Sequence, residues 1–95
     1  RSKLLTKKIE KQLLNKKMTV KENLNVRDAP ERYGDKLFTI KEKSPVKIVE
    51  IGSMEVIDDI CSVWVKVEIQ TGAKDSSGKA LKPGQTGWCF AGYLE

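Results

Sequence analysis

The chain is 95 residues long and a third of them are charged, with 18 Lys or Arg against 13 Asp or Glu and a net charge of +5. That length predicts one domain, near the lower limit for a self-sufficient core, and six aromatic residues leave little material for a large apolar ligand cavity. There is no histidine, and the two cysteines lack C-x-x-C spacing, so zinc sites of ordinary type are excluded and the commonest general base is missing.

The charge is unevenly placed. Residues 1–17 carry seven Lys or Arg against one Glu, net +6, and the remaining 78 carry eleven against twelve, net −1. The basic character belongs to the N-terminal stretch. A near-neutral body is a poor match for a phosphate backbone, so nucleic acid is not an expected partner. No stretch approaches the ~18 to 20 apolar residues of a membrane span, and no transmembrane segment is expected. A start at Arg1 rather than Met reads as a fragment or processed form of a longer chain.

Residues 1–18 read as a basic amphipathic helix or linker, with the helix over Leu4 to Lys17. Leu5, Ile9 and Leu13 fall at i, i+4 and i+8 and share one face, with Leu4 and Leu14 at its margins. Such a helix is marginal alone. Three roles stay open for it: a solvated linker, a helix on an anionic membrane surface, or a helix docked on its own or a neighbouring domain.

Residues 19–95 read as a barrel domain. From Met18 the period becomes two. Leu24 and Val26 share a face, and Pro30 ends that strand. Glu31 to Lys36 is a polar loop hinged at Gly34, Leu37 to Ile40 a short strand, and Lys41 to Pro45 a turn. Val46 to Ile51 alternates again, and Met54 to Ile60 predicts a small hairpin around Asp58 and Asp59. In Val63 to Ile69, the clearest strand, Val65, Val67 and Ile69 face one way, and Trp64, Lys66 and Glu68 the other. The sixteen residues Gln70 to Gln85 read as a long mobile loop, more a tolerated insertion than a recognition element, with Lys74, Lys79 and Lys82 within reach of a partner. Thr86 to Phe90 closes the set. Five short strands after the N-terminal helix predict an all-β, small five-stranded barrel.

Leu24-Asn25-Val26-Arg27-Asp28-Ala29-Pro30, Val46-Lys47-Ile48-Val49, Trp64-Val65-Lys66-Val67 and Gly87-Trp88-Cys89-Phe90-Ala91-Gly92-Tyr93-Leu94 occur in this order. Together they resemble the strand motifs of the bacterial SH3-like (SH3b) domain family over residues 20–95. The helix before Met18 and the loop from Gln70 to Gln85 lie outside that pattern. The resemblance implies an SH3-like barrel in the periplasm or cell envelope, as part of an envelope-associated bacterial protein. Fold analogy does not by itself assign a function.

The aromatic residues are the candidate contact surface. With Val65 and Val67 in the core, Trp64 points out, and with Cys89 in the core, Trp88 and Phe90 point out beside it. By resemblance to eukaryotic SH3 domains, Trp64 falls at the binding tryptophan, Tyr93 at a groove tyrosine, and Phe90 where a groove proline stands. Trp64, Phe90 and Tyr93 would form a platform for an extended peptide, walled by Tyr33. The alternative is that these rings close the barrel ends or lie beneath the N-terminal helix. The acidic loop residues of that family are only partly echoed, by Asp28, Glu31 and Asp35, which disfavours proline-rich ligands. Cys89 and Leu94 read as core, Gly87 and Gly92 as turn or close-packing positions, and Trp88 stays open.

Alternation allows both Cys61 and Cys89 to face the core. The register implied by the resemblance sets them too far apart for a disulfide, so two free cysteines are expected, although an envelope location would favour oxidation. No catalytic set emerges. Asp58 and Asp59 are adjacent and diverge, and Gly78-Lys79 has no following helix to make a phosphate loop. The sequence therefore predicts a non-catalytic binding module without cofactor or metal. Its expected partner is a peptide, a peptidoglycan stem or another protein. The alternative is a structural spacer whose N-terminal helix contacts the barrel or a neighbouring domain.

Overall fold

Alternating apolar residues build an antiparallel sheet in the computed structural model, which describes residues 13–95. Its strands are β1 (Lys17–Thr19), β2 (Leu24–Arg27), β3 (Lys36–Ile40), β4 (Pro45–Ile57), β5 (Ile60–Ile69) and β6 (Thr86–Phe90), followed by a 3-10 turn over Ala91–Tyr93. The sheet order is β1-β4-β5-β6-β2-β3, and the sheet curls into a half-barrel. Backbone bonds in both directions between Thr19 and Glu95, each 2.8 Å, fasten the chain end beside β1.

Six strands replace the expected five. The extra one, β1, is only three residues long, Lys-Met-Thr, too short to show a period. It exists because Met18 pairs with Val46 and Thr19 with Pro45. Most of the stretch expected as an N-terminal helix lies outside the described residues. Its described end is not helical beyond Leu13: Asn15 adopts φ 65°, a left-handed conformation that asparagine tolerates, and Lys17 already belongs to β1.

Val26, Ile40, Val46, Ile48, Val65 and Val67 are fully buried in the concave core, with Cys89 and Leu94 among them. These are the inward residues of the alternation. Gly87 is required there, because a Cβ at this position would lie 2.3 Å from Cγ1 of Val26.

The segment expected as two pieces, Val46 to Ile51 and a separate hairpin, is one long pairing of β4 with β5. Its register shifts between Ile48 and Glu50 and again between Ile51 and Met54. The aspartate turn is as expected: Asp58 and Asp59 have φ of 52° and 64°, the pair of positive values that a two-residue type I′ hairpin needs.

The stretch from Gln70 to Gln85 is folded rather than a free loop. Ala73 is buried in the core, Lys74 bridges to Ala80 and Ile40 to Asp75. The Asp75 carboxylate accepts from the Ser77 and Lys79 amides at 3.0 Å. Gly- and Ser-rich composition signals turn chemistry, and here the turns close on one another.

Gly87→Ala is expected to lower stability by about 1–3 kcal/mol through overpacking against Val26. Urea unfolding would check this, and an unchanged midpoint would show that the β2–β6 contact yields without strain.

Candidate functional site

Alternation places Trp64 and Phe90 on the sheet face opposite the core, and they are directly paired across β5 and β6. Tyr93 follows on the 3-10 turn. The three rings form a continuous series: Trp64 and Phe90 have centroids 5.9 Å apart at 60°, and Phe90 and Tyr93 are 5.7 Å apart, edge to face. Both separations lie in the favourable range for aromatic pairs.

The expected exposure of this face is not found. Trp64 is 3% and Phe90 2% exposed, yet neither belongs to the main core cluster. They are buried in a second, smaller layer. The register shift between Ile51 and Met54 sets Gly52 and Ser53 of β4 against Trp64 alone in β5, a bulge that bends and twists the ribbon. Glu55 pairs with Ser62 and Ile57 with Ile60, so by alternation both share the face of Trp64.

Hydrogen bonds fix that cover. Glu55 Oε1 accepts from Trp64 Nε1 at 2.8 Å, and Glu55 Oε2 accepts from Arg32 Nε at 2.5 Å. Arg32 also donates to the Val56 carbonyl at 3.1 Å. The two bonds, from Trp64 first and then Arg32, hold the Glu55 carboxyl below its ordinary value. At the hairpin tip the Tyr93 hydroxyl donates to Asp58 Oδ2. This bond to the carboxylate, with some burial, pushes the Tyr93 phenol up to about 12.

What remains open is a groove of about 250 Å³ beside the aromatic series. Trp64, Phe90 and Tyr93 line it together with Ile57 of the hairpin, the stretch from Glu22 to Asn25, and Arg27 and Arg32. Three of the four expected contact residues are thus brought together. Tyr33 is not: it is 85% exposed and absent from the lining, where its neighbour Arg32 stands instead. The loop carrying both closes on itself, with Asp28 Oδ1 accepting from the Asp35 amide at 2.9 Å, so Asp28 shapes the loop. Trp88 lies outside the groove, against Gly52, where a Cβ would come 2.9 Å from its ring.

The groove residues missed by sequence reasoning are Glu22, Asn23, Leu24, Asn25, Arg27, Arg32 and Ile57. Alternation already put Asn25 and Arg27 opposite Leu24 and Val26, and that signal was available. Arg32 and Ile57 arrive through loop and hairpin geometry, which no local pattern encodes.

Cys61 is exposed and Cys89 buried, and both are free. Cys61 pairs with Val56, whereas Cys89 pairs with Val65, four residues further along β5. Burial pushes the Cys89 thiol up to about 12, which leaves it unreactive at neutral pH. Among the described residues no group of three His, Cys, Asp or Glu is gathered to hold a metal ion, and no helix is long and apolar enough to cross a membrane. No protein-family model matches the chain, and neither curated proteins nor solved structures give a significant match.

Two titrations test the cover. A phenol raised in the folded state binds its proton more tightly there, so its stabilisation is present below pH 10 and is lost as pH rises through about 12. Asp58→Ala should return the Tyr93 transition toward 10 in an ultraviolet titration. An unmoved transition would show that Asp58 does not hold the hydroxyl. Glu55 has the opposite sign: its contribution is present above 4.5 and disappears as pH falls through its lower folded value. Trp64 fluorescence should report opening of the cover on acidification, an effect absent in Glu55→Gln.

Proposed function

We propose that the chain is a non-catalytic binding module, an SH3-like domain of a bacterial envelope protein, that holds a peptide, a peptidoglycan stem or a protein segment in the groove beside Trp64, Phe90 and Tyr93. The observation that carries this reading is the groove itself. The Tyr93 ring and Ile57 give it apolar area, the buried rings of Trp64 and Phe90 reach it only at their edges, polar side chains complete the lining, and its volume is about 250 Å³. Aromatic bodies supply contact area with few rotors to immobilise, and flanking polar groups fix orientation. Placement in the periplasm or cell envelope rests on the family resemblance alone.

A structural role is the second reading, and a specific observation favours it. The indole N–H of Trp64 and the hydroxyl of Tyr93 are both committed to carboxylates of the hairpin, so neither polar handle is free for a ligand in this arrangement. On that reading the second layer closes one side of the sheet and the domain acts as a spacer or assembly element.

Amide shift mapping with soluble peptidoglycan fragments separates the two. Binding should move the amide signals of Leu24, Ile57, Phe90 and Tyr93, and Ile57→Ala should weaken it about three- to tenfold while changing the melting temperature by only a few degrees. Trp64→Ala is unsuitable as the main test, because truncating a buried tryptophan costs about 3–5 kcal/mol. If neither peptidoglycan fragments nor peptides move any groove signal, the spacer reading replaces this one.

A further inference from the structure

One wall of the groove has a regular chemistry. Asn23, Asn25 and Arg27 all line it at every second residue, while Leu24 and Val26 between them are buried. Each of the three is held from behind. Asn23 Oδ1 accepts from the Glu42 amide at 3.0 Å, Asn25 Oδ1 accepts from the Thr39 hydroxyl at 2.9 Å, and Arg27 Nη1 donates to the Gly34 carbonyl at 2.9 Å. In both asparagines the bond occupies the oxygen of a rigid, planar amide. The NH₂ groups have no acceptor among the described residues. These three side chains therefore offer donors, with Arg27 adding further N–H groups and no acceptor, while Glu22 at the end of the same wall is the one carboxylate there.

An occupant that matches the wall has to supply acceptors at the same repeat. Residues two apart along a strand are separated by about 6.6–6.8 Å, and so are the main-chain carbonyls on one side of an extended peptide. Fixed donors lose little freedom on binding, so each bond contributes more than one from a mobile side chain.

We infer that the groove takes the main chain of an extended peptide, whose carbonyl oxygens accept from the side-chain amides of Asn23 and Asn25 while its side chains rest on Tyr93 and Ile57. This rests on reading the groove as the binding site, and it narrows the ligand from peptide, glycan-peptide or protein surface to an extended peptide segment. Recognition through main-chain carbonyls tolerates many ligand sequences, because the repeat and not the side chains is matched.

Isosteric variants test it on the full chain. Asn23→Asp and Asn25→Asp replace the NH₂ by oxygen and keep the oxygen that accepts from Glu42 or Thr39. The probes are acetyl-pentaalanine amide, an uncharged peptide, and chitotetraose, a glycan without a peptide main chain. In the unsubstituted chain, pentaalanine should move the side-chain NH₂ signals of Asn23 and Asn25, and each Asp variant should weaken its binding about tenfold with little change in melting temperature. Unmoved NH₂ signals, or Asp variants that bind pentaalanine as well as the original chain, would overturn the inference. Groove signals moved by chitotetraose alone would also overturn it, yet leave the groove as a binding site. Groove signals that neither probe moves would remove both readings.

Discussion

The arrangement of the site depends on the bulge where β4 passes Gly52 and Ser53. Below it, β4 pairs with β5 through the core, Val46 against Ile69 and Ile48 against Val67, with one further register shift between Ile48 and Glu50. Above it, the same two strands continue as a ribbon whose tip carries the carboxylates that bond Trp64 and Tyr93. A regular ladder would keep the ribbon in line with the sheet and leave Trp64 uncovered. The extra residue bends it, and the bend gives the sheet a partial second layer.

That second layer explains how an aromatic residue can point away from the core and still be buried. Trp64 and Phe90 face outward from the concave core, and the hairpin covers them. A buried indole N–H needs a partner, and Glu55 supplies it, while Asp58 bonds the more exposed Tyr93 hydroxyl. The ion pair of Glu55 with Arg32 is part-exposed and contributes little by itself. Its effect is to hold one carboxylate so that its other oxygen meets Trp64, which ties the β2–β3 loop to the hairpin. The groove is the space that these covers do not fill.

The strands were legible in the sequence because a half-buried sheet imposes a period of two, and Leu24, Val26, Val65, Val67 and Cys89 obey it. The aspartate turn was legible because positive φ at two successive positions restricts the residue types. β1 was not, since three residues are too few to show a period and take strand form only through pairing with Pro45–Lys47. The segment from Gln70 to Gln85 was misread as free because its composition reports turns and says nothing of where Ala73 packs.

By itself the sequence determined the all-β class, the core face of each main strand and the placement of Trp64 and Phe90 on the side away from the core. These follow from alternation, a local property of the backbone. The tertiary structure decided whether that side is open. Burial of Trp64 and Phe90 depends on a bend in β4, on Arg32 reaching across to Glu55, and on Asp58 meeting Tyr93. Those contacts join residues 23 and 35 positions apart, beyond the range of any local periodicity.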